Sequence, residues 1–225
     1  MTNCWPVPLS VHFFPNAGDV NPPLARAFEE IRAREQLQTS GSARFFASDD
    51  RLLDRPGLPE LARLMEFAVE SLKDTVTAAN RQVWPEGRMA LRLQFAGCWF
   101  QIQNRMASHD VHTHGNCSWS GVYCVQIDPA LTRHAHPELG ELNGATRFYG
   151  PYSIWQGGAH MDAGNAYLQK NTIDIAPEPG TLILFPAYVP HCAMPYKGQR
   201  DRIIVSFNVQ IHAAGSDQLF AYGAR

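Results

Sequence analysis

Two spacings of apolar residues divide the chain. From Pro59 to roughly Asn80, Leu61, Leu64, Met65, Ala68, Leu72 and Val76 recur with a period of about 3.6, which predicts an amphipathic helix. A shorter stripe of Leu24, Phe28 and Ile31 predicts another over Pro22–Leu37, with Pro22 and Pro23 opening it. After Trp84-Pro85 the period changes to two. Met89, Leu91, Leu93 and Phe95 alternate with Arg88, Ala90, Arg92 and Gln94, the pattern of a half-buried strand. Further strands are expected at 98–105, 109–114, 118–127, 145–149, 171–176, 181–186 and 201–211, after a first one at 7–14. Turns such as Gly115-Asn116, Asp128-Pro129, Pro179-Gly180 and Lys197-Gly198 separate them, while residues 38–57 read as polar and turn-rich.

Two helices followed by about eight strands predict a mainly β fold with flanking helices, a jelly roll or antiparallel barrel buttressed by N-terminal helices. We read residues 1–225 as one domain: supporting elements over 1–86, a jelly-roll core over 87–212, and a tail over 213–225. The long segment 151–170, rich in Gly, Tyr, Trp and His, is a candidate lid, and Arg147, Tyr152 and Trp155 are candidates to line a substrate site beneath it.

Charge and composition remove several function classes. A formal net charge of −2 and the lack of any Lys/Arg run with interleaved aromatics argue against nucleic acid or an anionic membrane as partner. No apolar run reaches the ~20 residues of a membrane span, and the N-terminus lacks the pattern of a signal peptide. Five cysteines, an odd number with no CxxC, argue against a disulfide framework and a zinc ribbon, so a reducing cytoplasm is the expected location.

The candidate chemistry lies in DVHTHGN. If this is a strand, His112 and His114 project from one face and can share a divalent metal; a third ligand is then needed, and His191, after the apolar run of PGTLILFPAYVPH, supplies one. A second HxH pair, His134 and His136, lies in polar sequence and reads as a solvated loop; His109 reads as a surface residue. Arg202 opens the apolar strand RIIVSFNV. It either grips a carboxylate ligand in the barrel mouth or pairs on the surface with Asp201 or Glu178; Ser206 and Asn208 share its side of the strand.

HTHGNCSWSGVYCV followed by PEPGTLILFPAYVPHCAMPYKGQRDRIIVSFNV resembles the Fe(II)/2-oxoglutarate-dependent oxygenase superfamily over about residues 88–211, and within it a group of bacterial and phage oxygenases. The resemblance implies a double-stranded β-helix (a cupin-like jelly roll) with iron at its open end. It implies Fe(II) held by His112, His114 and His191, with 2-oxoglutarate as cosubstrate gripped by Arg202. Most members carry Asp or Glu where this chain has His114. They often have Ser two residues after the arginine; Ile204 stands there, and Ser206 is the candidate in its place. Tyr123 is a further candidate for a hydrogen bond to the cosubstrate. The implied activity is oxidation, most often hydroxylation, of a small organic substrate with O₂. The alternative is a cupin-like three-histidine dioxygenase or isomerase without 2-oxoglutarate; a binding module with structural histidines and a zinc hydrolase are also open.

Overall fold

The helix of Pro59–Asn80 (α2) forms with the predicted bounds and buries the predicted stripe. In the computed structural model, which describes residues 7–36, 44–84, 90–150 and 171–213, it lies with α1 (Ala17–Gln36) against a sheet. Helix α1 begins earlier than Pro22. Val20 extends the stripe of Leu24, Phe28 and Ile31 by one turn, and the Asn16 carbonyl accepts the N–H groups of Asp19 and Val20 to close that turn. The two prolines therefore sit inside the helix, where each withholds one N–H.

Ten strands are assigned among the described residues: β1 (Ser10–Phe13), β2 (Phe45–Ala47), β3 (Leu91–Gln103), β4 (Ala107–His112), β5 (Trp119–Gln126), β6 (Thr146–Tyr149), β7 (Thr172–Ile175), β8 (Thr181–Pro186), β9 (His191–Tyr196) and β10 (Arg202–Ala213). They form a six-stranded sheet ordered β1-β8-β5-β10-β3-β2 and a four-stranded sheet ordered β4-β9-β6-β7. Every ladder is antiparallel. This is the expected jelly roll of double-stranded β-helix type. Strand β2 lies within the segment read as turns, and the two strands expected at 88–95 and 98–105 are one, β3. A bulge opposite Asn208 and Val209 absorbs the break in alternation.

The six-stranded sheet is apolar on its helix side, and at β8 it is apolar on both faces. On the helix side, Phe100, Ile102, Leu182, Leu184, Ile203, Val205 and Val209 meet α1 and α2, and Phe28 stacks on Phe100 with ring centroids 4.2 Å apart. Burying one such phenylalanine contributes about 1.5–3 kcal/mol. On the other side, Ile183 and Phe185 pack with Phe148 of the four-stranded sheet. Gly121 is where β5 passes under the ring of Phe207: a Cβ there would stand 2.2 Å from a ring carbon. The Pro179-Gly180 turn has Gly180 at φ +93° and a Thr181 N–H to Glu178 carbonyl bond, a type II turn that feeds β8. Among the described residues no helix is long and apolar enough to cross a membrane.

Candidate metal centre

The four-stranded sheet brings two of the three candidate ligands face to face: His112, the last residue of β4, is registered opposite His191, the first residue of β9. Their ring centroids are 4.3 Å apart. His114 arrives differently from the expectation. β4 ends at His112, so the two histidines do not share a strand face; His114 lies in the β4–β5 connection. Its N–H donates to the Ala187 carbonyl at 2.9 Å, which ties that connection to the β8–β9 turn. This bond carries the ring to within 5.1 Å of both partners, centroid to centroid.

Ligand nitrogens from His112, His114 and His191 all lie within 4.8 Å of one another. The Nδ1 of His112 faces its own strand's Asp110 carbonyl at 2.7 Å, and the Nδ1 of His191 faces the Val189 carbonyl at 3.0 Å. A carbonyl only accepts, so each Nδ1 carries the proton and each Nε2 presents a lone pair. The Nε2 atoms of His114 and His191 are 3.3 Å apart. Two nitrogens bound about 2.1 Å from one octahedral ion would stand roughly 3 Å apart, so the spacing suits a shared metal. Burial, reinforced by the neighbouring imidazoles, lowers both His114 and His191 to about 4. Both rings are therefore neutral at neutral pH, the form that binds a cation.

Across the barrel, Arg202 opens β10 and lines the same cavity as the three histidines. Only 1% of it is exposed. The two acids that could have neutralised it are engaged elsewhere: Asp201 pairs with Arg32 at 2.6 Å and Glu178 with Arg133 at 2.9 Å. Arg202 instead donates from Nη1 to the Gln103 carboxamide oxygen at 2.6 Å, and its buried Nε has no partner. A buried guanidinium with no carboxylate opposite is unfavourable unless a ligand supplies one. Ser206, on the same side of β10, lines the cavity as expected.

Tyr123 corrects the sequence reading. Its side chain is on the helix side of β5, fully buried, with its hydroxyl donating to Asn21 Oδ1 at 2.7 Å and its ring edge-on to Phe14. Alternation along β5 turns it away from the cavity, which Val122 lines instead. His109 is the second correction. It lines the cavity with its ring 4.2 Å from that of His112, rather than facing solvent. Register shifts on either side of it in the β4–β9 ladder break the period of two, so no spacing rule could have found it. The missed partner Gln103 did leave a signal. In β3, Trp99, Gln101 and Gln103 alternate with Cys98, Phe100 and Ile102, so one apolar face meets the helices and the other face is left for the barrel interior.

His134 ends a five-residue helix (α3, Ala130–His134) and is exposed; the Nδ1 of His136 accepts the N–H groups of Glu138 and Leu139. Arg147 is paired in a bidentate manner with Asp174 across β6 and β7, at 2.7 and 2.9 Å. Tyr152, Trp155 and the 151–170 segment lie outside the described residues.

Residues 97–208 match the model of a family described as "Putative 2OG-Fe(II) oxygenase". Through this stretch the chain belongs to the 2OG-Fe(II) oxygenases, enzymes that use Fe(II) and 2-oxoglutarate. The fold is similar to that of a prolyl-4-hydroxylase from Pseudomonas putida, with 17% identity, 91% of this chain and 92% of that one covered, and a TM-score of 0.54. It is also similar to a prolyl hydroxylase from Trichoplax adhaerens in complex with a hypoxia inducible factor oxygen degradation domain peptide fragment (11% identity, 96% and 87% covered, TM-score 0.56). A third likeness is to SnoN, the alpha ketoglutarate dependent epimerase from nogalamycin biosynthesis (13% identity, 97% and 87% covered, TM-score 0.55). At these identities the likeness is one of fold. No curated protein matches the sequence.

Proposed function

We propose that this chain is a dioxygenase that oxidises, most simply by hydroxylation, a small organic substrate such as an amino acid or a natural-product intermediate, with release of succinate and CO₂. The reading is carried by one observation: a fully buried Arg202, paired with no acid among the described residues, faces the same cavity as three convergent imidazoles. His112, His114 and His191 would hold the Fe(II), each through Nε2. When bound, iron and 2-oxoglutarate supply the oxidising chemistry by oxidative decarboxylation of the cosubstrate with O₂.

The chain's own residues bind, orient and keep out water. Arg202, held by Gln103, would anchor the distal carboxylate of 2-oxoglutarate, and Ser206, which lines the same cavity, would add a hydrogen bond. Trp99, Val122 and Ile204 give that end of the cavity apolar walls, in which each charged contact is stronger than in water. The Asp110 and Val189 carbonyls fix two of the three rings before any ion arrives. A cytoplasmic location, the expectation from the cysteines, goes with this reading, since Cys98, Cys117, Cys124 and Cys192 are all free thiols.

The test is release of labelled CO₂ from 1-labelled 2-oxoglutarate by the Fe(II)-loaded enzyme. The wild type turns over the cosubstrate and Arg202→Ala does not. Equal oxidation of substrate by both, with no CO₂, would establish the cupin-like reaction in its place.

A further inference from the structure

Among the described residues, the cavity that holds the three imidazoles and Arg202 has no acid in its wall. Among the described residues, its polar lining is His109, His112, His114, His191, Arg202 and a few neutral groups such as Gln101 and Ser206. Asp110 is the one acid that acts on the shifted imidazoles of this cavity, and it acts on His109; its own side chain is exposed. His114 and His191 feel only other imidazoles and, for His191, the Val189 carbonyl. Asp201 and Glu178 are spent on Arg32 and Arg133, and the buried Asp128 accepts the backbone N–H groups of Gln199 and Arg200.

This has a consequence for charge that rests on the reading of His112, His114 and His191 as ligands. Neutral imidazoles leave a divalent ion its full charge, and Arg202 adds one more. The dianion 2-oxoglutarate cancels two of these three positive charges, so the loaded site keeps one uncompensated positive charge. It is surrounded by Trp99, Val122 and Ile204, where an unpaired charge is poorly solvated. A carboxylate at position 114 would have removed the surplus; the histidine creates it.

We propose that the loaded site binds one further monoanion beside the metal, and that its natural source is a carboxylate on the substrate. The substrate class narrows accordingly to carboxylic acids whose oxidised carbon lies near that carboxylate; a free halide is the other source of the same charge.

The test uses full-length protein loaded with Co(II) and 2-oxoglutarate, whose visible absorption reports ligands at the metal without turnover. Azide, chloride, acetate and neutral acetamide are titrated in turn at constant ionic strength. Azide and acetate are expected to shift the spectrum saturably, with 2-oxoglutarate still bound, at concentrations where acetamide has no effect. His114→Asp, which returns a negative ligand, is expected to weaken monoanion binding tenfold or more while keeping the metal and the cosubstrate. No response to any anion, or equal affinity for acetate and acetamide, overturns the proposal. Chloride saturating well below acetate overturns the substrate carboxylate as source. Failure to bind Co(II) and 2-oxoglutarate at all is a separate result that removes the ligand reading and the anion site together. The contrast between acetate and acetamide is read on the wild type, so it decides the matter even where His114→Asp does not retain metal.

Discussion

Arg202 Nη1 lies 2.6 Å from Gln103 Oε1, across the β10–β3 ladder where the two residues are registered opposite each other. A carboxamide holds the guanidinium in place without neutralising it, which leaves the charge for a ligand. Gln103→Glu would put a carboxylate at that spot and satisfy Arg202 internally. The expected outcome is a 2-oxoglutarate affinity weaker by about 10- to 100-fold, the equivalent of one hydrogen bond to a charged group. Titration calorimetry on Co(II)-loaded protein measures it; an unchanged Kd would mean that Arg202 does not hold the cosubstrate.

Tyr123→Phe separates the two faces of β5. The variant keeps its 2-oxoglutarate affinity, because the hydroxyl meets Asn21 on the helix side and not the cavity. It loses about 1–2 kcal/mol of stability, since Asn21 Oδ1 is left buried without its donor. Chemical denaturation gives the second quantity and calorimetry the first.

Metal affinity should respond unequally to the three histidines. His191→Ala removes a ring that is 4% exposed and fixed by the Val189 carbonyl. The expected loss in Fe(II) or Co(II) affinity is more than about 100-fold, the upper end of what an outer-shell partner is worth. His114→Ala removes a ring held only through its backbone and is expected to cost less. Competition with a chelating dye ranks them, and the reverse order would contradict the site as described.

The metal-free protein should lose stability in acid over a defined window. His114 and His191 sit at about 4 in the native state, against an ordinary value of 6.5. Between these values the unfolded chain binds more protons than the native one, so stability rises with pH across the window and falls as pH drops through it. Burial lowers His12 and His109 in the same direction. The thermal midpoint of the metal-free protein is therefore expected to fall from pH 6.5 to 4, and to fall less steeply in a His114→Phe/His191→Phe double variant. Equal slopes would show that these rings are not held neutral.

Much of the architecture was legible because one face or stripe of each element is buried. The α2 stripe has an unambiguous period, β8 is a continuous apolar run after a Pro-Gly turn, and both appear with the predicted bounds. Helix α1 was misplaced at its start because Pro22-Pro23 reads as an opening, while Val20 supplies the burial that pulls the helix upstream. At the site, order along the chain singles out His112, His191, Arg202 and Ser206 as candidates, and these four line one cavity. His114 was placed by the wrong route, since a backbone bond to Ala187 and not strand alternation brings it in. Tyr123 failed for the opposite reason: alternation does hold in β5, and it turns the ring outward. His109 was invisible because bulges, which no residue type announces, break the register on both sides of it.

In the function proposed, one ferrous ion on His112, His114 and His191 and one 2-oxoglutarate on Arg202 would share this cavity. The most direct measurement adds Fe(II) and then 2-oxoglutarate to the protein without oxygen and records the visible spectrum. A metal-to-ligand charge-transfer band that appears in the wild type, needs more cosubstrate in Arg202→Ala, and is absent in His191→Ala is the predicted result. Stoichiometric Fe(II) binding with no band at saturating 2-oxoglutarate would contradict it.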